Sequence, residues 1–515
     1  MEKELKISAY DEYLSVAKSV THAFISLFLF VLPLAITNGY YNITETKLVA
    51  FYMMSGAYIV VQLFVFLLHM ATKRKDLLKS FSFKLSFIDI VFVLFGLSYV
   101  ISGALSQYGT NDVLFGIGSR YQGILTILVY VVLYFVLTRT FSFSPPCLVW
   151  AGIGFSIVSL IALLNGLSID PLGIYLDLSS ENKSLYISTI GNVNFYSAYY
   201  NIMLPVLLVG FCKAIDKKSI IAFGSFVLIG SIGMVFTASE SFLLGFLISI
   251  LLLLAFLMKD KKALKRFLMS CYLFLFTILI YSNLFYSDSQ KGIFNFKPSA
   301  LMKLLSQPII VAALIVAFTV LLVVATKKPD ILPYIKKVYC VTLVVFFIAG
   351  FVGIVFINTV FKGVDLGEFE GYLKFSAEWG TNRGRNWVFC VEEFLNAPLV
   401  SQLFGFGPET YHNLTEKTGF YATKSLDQVH NEYLQYLISV GAFGLASYLC
   451  IIGATIKNCF KRLKDNAVAM SILCGLIAYW VQATVNIAQP FTTPLMFVFV
   501  AVLSKLVVCK DTSNK

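Results

Sequence analysis

The sequence predicts an all-α integral membrane protein with about 14 transmembrane helices, within a range of 12–14. Of its 515 residues, 58% are apolar and only 13% are charged, whereas soluble domains carry about 25% charged residues. Apolar runs of about 20 residues recur along the chain, and each is long enough to cross a hydrocarbon core of about 30 Å. An outer-membrane barrel would instead alternate apolar and polar residues over segments of about ten.

Fourteen apolar runs are the predicted spans, with boundaries good to a few residues. Two pairs of spans are separated only by short breaks, the TASES stretch at Thr237–Ser241 and the Gln489-Pro490 step, where proline ends a helix. The first run lacks a small-residue cleavage site and is expected to remain as a helix. The runs lie at 19–37, 47–70, 87–106, 121–138, 147–167, 192–212, 219–237, 239–258, 267–285, 308–326, 338–360, 431–456, 467–487 and 490–508.

The positive charges set the expected orientation. Lysine and arginine clusters fall in alternate connections, from residues 73–84 to residues 457–464. Such clusters prefer the cytoplasmic side, so both termini are expected in the cytoplasm. The net charge of +12 then reflects topology, and no nucleic-acid partner is expected. The chain divides into helices 1–11 within 1–360, a long extracytoplasmic loop at 361–430, and helices 12–14 within 431–515.

Three of the seven arginines fall on the predicted outer face, where topology gives no reason for them. Arg120 lies in GIGSRYQG, and Arg383 and Arg385 lie in GTNRGRNW. A planar guanidinium can hold phosphate or pyrophosphate through two parallel hydrogen bonds. Alternatively, each arginine pairs with an acid on the same face, and the sequence favours neither interpretation. The acids considered are Asp112, Glu378 and Glu392.

His430 is the candidate general base. It is one of two histidines on the predicted outer face and shares its loop with two of the outer arginines. It is predicted to open a helix, with Ser425 or Asp427 as the N-cap. A helix N-terminus disfavours the charged imidazolium, and the neutral form is the one that a general base needs. His412, in PETYHNLTEKTG, is interpreted as structural.

Three other polar residues begin predicted spans on the same face. Glu240, in TASES, is an acid near membrane depth, where charges are costly and often functional; it can also be interfacial or paired with an arginine. Asn192 and Asn194 can cap their helix or bind sugar hydroxyls. The sequence has no DxD on this face, no P-loop, no GxSxG and no HExxH. A reaction without metal, nucleotide donor or cofactor is therefore expected.

Four stretches, in this order and spacing, resemble the O-antigen ligase and polymerase family of polytopic glycosyltransferases. They are GNVNFYSAYYNIMLP at 191–205, TASESFLLG at 237–245, RGRNW through LFGFGP at 383–408, and HNEYLQYLISVGAFG at 430–444. The resemblance implies a glycosyltransferase C-like fold and an undecaprenyl-pyrophosphate-linked glycan as donor. The acceptor would be a hydroxyl of a glycan, a lipid or a protein.

The resemblance also implies roles for individual residues. His430 would deprotonate or orient the acceptor hydroxyl, and Arg120 and Arg383 would hold the pyrophosphate. Arg383 stands four residues before Trp387, as the family pattern requires; Trp387 and Asn431 are possible substrate contacts. Glu240 departs from the family, which usually has arginine there. A third phosphate contact would then come from Arg385, or the donor differs.

The sequence thus predicts a metal-independent glycosyltransferase in the bacterial cytoplasmic membrane, with its catalytic loop on the outer face. Membrane lipids are expected partners. A flippase or transporter for a lipid-linked glycan is the alternative, although transporters usually place polar sites at the midplane. A scaffold without chemistry would leave the outer arginines unexplained.

Overall fold

The protein is a bundle of α-helices. The computed structural model describes residues 8–80, 84–116, 120–176, 178–179, 182–237, 239–288, 300–367, 370–420, 428–462 and 466–508. Within these ranges, the β-structure is one antiparallel pair of two-residue strands, β1 (Tyr186–Ile187) and β2 (Gly191–Asn192). The predicted all-α fold class is confirmed.

The helices differ widely in length, and the short ones lie between the long ones. Brief 3₁₀ turns occur at Lys183–Leu185, Val235–Thr237, Pro329–Ile331 and Ala483–Val485. In chain order the α-helices are α1 (Ala9–Leu34), α2 (Ile43–Ser80), α3 (Phe87–Leu105), α4 (Thr110–Phe115), α5 (Ile124–Thr140), α6 (Pro145–Gly166), α7 (Val193–Lys213), α8 (Lys217–Met234), α9 (Glu240–Leu257), α10 (Lys261–Asp288), α11 (Ala300–Leu305), α12 (Pro308–Lys327), α13 (Leu332–Thr359), α14 (Glu370–Leu373), α15 (Trp379–Asn396), α16 (Leu399–Phe404), α17 (Tyr411–Lys417), α18 (Glu432–Arg462), α19 (Ala467–Gln482) and α20 (Thr492–Val508).

Twelve of the described helices are long and apolar enough to cross a membrane, and α5 and α20 are apolar but shorter. Each of the fourteen predicted runs overlaps one of these helices. The two short breaks do separate helices, since α8 ends before α9 begins at Glu240 and α19 ends at Gln482. The chain is therefore a multi-pass membrane protein, while the count of fourteen spans stays a prediction.

Helix α7 is the centre of the bundle and packs against α8, α9, α10 and α19. Its tyrosines Tyr196, Tyr199 and Tyr200 are fully buried. Small residues allow the close approach, because a Cβ added at Gly475 of α19 would lie 2.5 Å from the Ile202 carbonyl oxygen. Helices α12 and α13 lie at the other extreme, with apolar side chains that are mostly exposed and so suited to contact lipid.

One lysine is buried inside the bundle. Lys47, near the start of α2, is 1% exposed, and its Nζ donates to the carbonyl oxygens of Leu32 and Pro33, at 2.9 and 2.8 Å. These carbonyls end α1, where a cation complements the helix dipole. The same Nζ lies 5.1 Å from the centroid of the Phe491 ring. Lys47 therefore fastens the start of α2 to the end of α1.

Helix α18 is broken, whereas the sequence predicted a continuous span at 431–456. Gly441 has φ 70° and ψ −174°, which no helix contains. The break frees the carbonyls of Ile438 and Ser439, which accept the backbone N–H groups of Phe406 and Gly407 at 3.0 Å each. The prediction of one regular helix is wrong here, because a strand-like pairing with the GFGP segment replaces part of the helical ladder.

The polar interval predicted as a loop at 361–430 contains the four short helices α14–α17. Its α16 packs against α18 and α3. A second polar interval lies at 286–307. Residues 289–299 of it lie outside the described part of the chain, and α11 follows them.

The break in α18 leads to a stability prediction. We expect Gly441→Ala to destabilise the protein by about 1–3 kcal/mol, because only glycine tolerates these dihedral angles. The added Cβ would also lie 2.3 Å from the Leu403 carbonyl oxygen. Thermal unfolding of the detergent-solubilised protein measures the loss. The matched control is Gly453→Ala on the same helix, where nothing lies within 4 Å of the added Cβ; equal melting temperatures for both variants would contradict the account.

Candidate active site

The predicted site residues gather at one end of the bundle, here called the site face. The guanidinium carbon of Arg120 lies 5.9 Å from the centroid of the Phe195 ring, and Phe195 is in the first turn of α7. Asn194, one residue earlier, accepts a hydrogen bond from the Ser239 hydroxyl at 2.9 Å. Ser239 is followed by Glu240, the first residue of α9. Helices α7 and α9 therefore place Glu240 beside the Arg120 region.

Aromatic contacts continue the series from Glu240 to α18. The Tyr372 hydroxyl hydrogen-bonds to Glu240, and burial together with this carboxylate raises the pKa of Tyr372. Trp379 Nε1 donates to the Tyr372 carbonyl oxygen at 3.1 Å, and the centroids of the Trp379 and Trp387 rings are 5.0 Å apart. Trp387 Nε1 in turn donates to the Val429 carbonyl oxygen at 3.1 Å. The residue after Val429 is His430.

The hydrogen bond of His430 decides its tautomer. Nδ1 lies 3.0 Å from the Gln428 carbonyl oxygen. A carbonyl oxygen only accepts, so Nδ1 carries the proton and the lone pair of the neutral ring is on Nε2. This is the tautomer that a general base acting through Nε2 requires.

Gln428 connects the histidine segment back to Arg120. Its side-chain Nε2 donates to Glu409 Oε2 at 3.2 Å, and Glu409 is 5% exposed. A Cβ added at Gly116 would lie 3.2 Å from Glu409 Cγ and 2.9 Å from the Cα of Tyr121, the neighbour of Arg120. The contacts thus form a closed circuit around the site face that passes beside Arg120, Glu240, Trp387 and His430.

Arg383 is a half-buried cation near this circuit. It stands one helical turn before Trp387 on α15, so both side chains lie on the same helix face. The residue is half-buried, and its side chain makes no ion pair or hydrogen bond with the part of the chain that the structure describes. Burial lowers the pKa of Arg383 from its ordinary value of 12.5. A desolvated guanidinium of this kind is suited to an anionic ligand.

Arg385 is placed differently from Arg383. Residues two apart on a helix do not share a face, and one terminal nitrogen of Arg385 lies 3.9 Å from the Glu378 carboxylate. Pairing with an acid was the alternative for the outer arginines, and it holds for Arg385. The structure therefore gives Arg385 an acidic partner, Glu378.

Backbone strain is concentrated around the candidate residues. Among the described residues, seven other than glycine have positive φ. Five of them flank or form the site, and such conformations persist only where the surroundings impose them. They are Tyr121 beside Arg120, Thr381 and Asn382 before Arg383, Glu409, and His430 itself, with φ 55°.

The asparagines serve mainly as helix caps. Asn192 Oδ1 accepts the Asn194 N–H at 2.8 Å and caps α7, one of the two roles predicted for it. Asn431 Oδ1 accepts the N–H groups of Tyr433 and Leu434 at 3.0 and 3.1 Å. Asn431 is therefore the N-cap of α18.

This cap corrects the prediction for His430. Ser425 and Asp427, the predicted N-caps, lie outside the described residues. Helix α18 begins at Glu432, so His430 precedes the cap and is not in the first helical turn. The prediction assumed a helix that starts earlier, whereas His430 adopts left-handed backbone geometry.

Glu432 is a polar centre that the sequence analysis missed. It is 1% exposed and accepts hydrogen bonds from the hydroxyls of Tyr436, Tyr448 and Tyr479, at 3.1, 2.7 and 3.0 Å. Tyr448 lies beyond the break in α18 and Tyr479 lies on α19. Through these hydrogen bonds, Glu432 connects the residues that follow His430 to the second half of α18 and to α19. The sequence did contain a signal for this centre, because Glu432 is an acid at the start of an apolar span.

His412, which was interpreted as structural, lies on α17, and its Nε2 is 3.2 Å from the Glu416 carboxylate. Within the described ranges, no group of three or more histidine, cysteine, aspartate or glutamate residues could hold a metal ion.

Fold and site together define a multi-pass helical membrane protein with a cationic, histidine-containing site at one face. Residues 299–449 match the family model Wzy_C, O-antigen ligase. This part of the chain is therefore similar to the O-antigen ligase domain, and the similarity supports a membrane glycosyltransferase-like ligase role. The match includes Arg383 and His430 and leaves Arg120 and Glu240 outside. No curated protein matches the chain.

The Glu432 cluster leads to a second stability prediction. We expect Glu432→Ala to cost roughly 3 kcal/mol, because it leaves buried tyrosine hydroxyls without their acceptor. Glu432→Gln keeps a side-chain acceptor oxygen and is expected to cost less. Thermal unfolding of each variant tests this, with the exposed Glu392→Ala as control. A melting temperature for Glu432→Ala equal to that of the control would refute a stabilising role.

Proposed function

We propose that the protein is a glycosyltransferase that moves a glycan from undecaprenyl pyrophosphate onto an acceptor hydroxyl. The supporting observation is that Trp387, one helical turn after the half-buried Arg383, donates a hydrogen bond to the Val429 carbonyl oxygen, next to the Nδ1-protonated His430. A cation for a diphosphate and a base for a hydroxyl are the two groups that this transfer needs.

His430 supplies the base in this proposal. Nε2 takes the proton of the acceptor hydroxyl as its oxygen attacks the anomeric carbon of the donor sugar. The bond between that carbon and the pyrophosphate oxygen breaks, and undecaprenyl pyrophosphate leaves with the bonding electrons. The Gln428 carbonyl, bonded to Nδ1–H, holds the ring and stabilises the imidazolium. A single displacement of this type inverts the anomeric centre.

Arg383 and Arg120 supply the positive charge for the leaving pyrophosphate. A preorganised cation in a desolvated site stabilises charge that develops in the transition state. Arg383 has no protein partner to give up in the described part of the chain. Arg385 is the weaker candidate, because it must first release Glu378.

The site face is proposed to lie outside the cytoplasmic membrane, with both termini inside. The alternation of lysine and arginine clusters along the chain supports this orientation. ATP and sugar nucleotides are not available there, so a lipid-linked donor fits the location. We further propose that the transfer needs no metal.

Release of undecaprenyl pyrophosphate by the purified protein tests the proposal. With a native lipid-linked glycan, an acceptor and EDTA, we expect wild-type release, and a loss of about 10²–10⁴-fold for His430→Ala. The matched control is His412→Ala, the other histidine of this segment, which should retain wild-type rates. Release that stops with EDTA would overturn metal independence. Lipid flipping without any release would favour the flippase instead.

Two substitutions test the role of Arg383. One removes the positive charge, and the other keeps the charge but changes the shape of the cationic group. We expect Arg383→Ala to lower turnover about 10²–10³-fold, and Arg383→Lys to retain more activity because it keeps the charge and loses only the planar fork. The initial rate of release measures both variants. Arg385→Ala serves as the neighbouring control, and a larger loss there than at Arg383 would exchange the proposed roles of the two arginines.

A further inference from the structure

Three aromatic rings form a wall on the site face. The ring centroids of Trp379 and Trp387 are 5.0 Å apart, and those of Phe375 lie 6.2 and 6.1 Å from them. Phe375 is 46% exposed and both indoles are partly exposed. These three residues, here called the aromatic wall, therefore present part of their surface to the outside, while Trp387 also packs against the small apolar cluster around Phe389.

The rings of the wall are fixed in orientation. Both indole N–H groups donate to backbone carbonyls, Trp379 to Tyr372 and Trp387 to Val429, each at 3.1 Å. The polar tips are thus satisfied within the protein, and only carbon faces remain for a ligand. A ligand held here must therefore present C–H groups rather than a hydrogen-bond acceptor for an indole.

A polar edge adjoins these faces. The Glu240 carboxylate is half-buried and bonded to the Tyr372 hydroxyl, and Trp379 contacts the backbone of the same tyrosine. Carboxylates accept hydrogen bonds from hydroxyl groups. A flat C–H surface beside a carboxylate matches a pyranose ring, which has C–H groups on its faces and hydroxyls at its rim.

The wall also has the right position along the circuit. Trp387 lies one helical turn from Arg383 and contacts the carbonyl of the residue before His430. In the proposed reaction the first sugar is bonded directly to the pyrophosphate and receives the acceptor oxygen. That sugar must therefore lie between the cation and the base, which is where the wall lies.

We propose that the aromatic wall, with Glu240 and Tyr372 at its edge, binds the sugar next to the pyrophosphate of the donor. This inference rests on the proposed function and gives the sugar subsite of that same site. It also accounts for an acid at position 240, where the family resemblance leads one to expect a cation. Here Glu240 serves sugar hydroxyls, and Arg383 and Arg120 hold the phosphates.

The competing explanation is an aromatic anchor at the membrane surface. The Phe375 N–H donates to the Asn358 side chain near the end of the apolar helix α13, so the wall lies close to a helix end. An anchor would act on the protein's placement in lipid and would not distinguish a glycan from its absence.

Binding of two ligands separates these explanations. The first is the native undecaprenyl-pyrophosphate-linked glycan, and the second is undecaprenyl pyrophosphate without sugar, each titrated against purified protein in detergent. We expect Trp379→Ala to lower the affinity for the glycan-bearing lipid about tenfold and to leave the affinity for the sugar-free lipid unchanged. Trp379→Phe keeps an aromatic face and should lose less than Trp379→Ala. Arg383→Ala should weaken both ligands.

Two further variants keep the test decisive. Trp150→Ala removes another exposed tryptophan, on α6, whose ring lies against Phe30, and should change neither affinity. If Trp379→Ala fails to fold, Glu240→Ala provides the second variant, with weaker binding of the glycan-bearing lipid only. Equal affinity changes for the two lipids, or none, would overturn the subsite. Binding needs no turnover, so a protein that binds as expected without transferring the glycan would refute the proposed function and not the sugar subsite.

Discussion

The strand-like pairing at the break in α18 is the interaction on which the site depends. Two backbone N–H groups of the GFGP segment, from Phe406 and Gly407, bond to the carbonyls that the break exposes. The hydroxyl of Ser102 on α3 donates to the Ser439 carbonyl oxygen, and the hydroxyl of Ser106, the C-cap of α3, donates to the Phe406 carbonyl oxygen. A polar segment is thereby docked on the membrane bundle through backbone groups that would otherwise lie unsatisfied in an apolar surrounding. This pairing acts together with the Trp387–Val429 hydrogen bond, which connects α15 to the segment before α18.

The docked segment brings groups of opposite chemical character together without letting them neutralise one another. The Glu240 carboxylate is hydrogen-bonded to the Tyr372 hydroxyl, and the Glu432 carboxylate accepts hydrogen bonds from three tyrosine hydroxyls. Arg385 lies within ion-pair distance of Glu378. The side chain of Arg383 has no ion-pair partner within the described part of the chain. The left-handed backbone at His430 and before Arg383 is the strained geometry that this arrangement requires. The paired residues Glu432 and Arg385 are thus different from the candidate residues Arg383 and His430.

Individual residues show how far the sequence could be read. Arg383, His430 and Glu240 were found because charge and histidine are rare in this composition, and His430 and Glu240 also stand next to apolar runs. The contact between His430 and Gln428 was not found, because Gln428 contributes a backbone carbonyl, and the contact between Gln428 and Glu409 was not found because the two residues are 19 positions apart. Neither contact leaves a periodic pattern. Asn431 was interpreted as a substrate contact, although its position before an apolar run also fits the helix cap that the structure shows.

The sequence alone determined the membrane class, the helix positions and the residue types of the candidate site. Hydrophobic length and charge placement are local properties, and the bilayer responds to them directly. Only the tertiary structure decided which arginine is paired, where α18 breaks, which tautomer His430 adopts and that three aromatic rings share one face. The break in α18 depends on a segment that is distant in the chain. The other three features depend on the backbone conformation between nearby residues, which packing fixes and the residue pattern does not show.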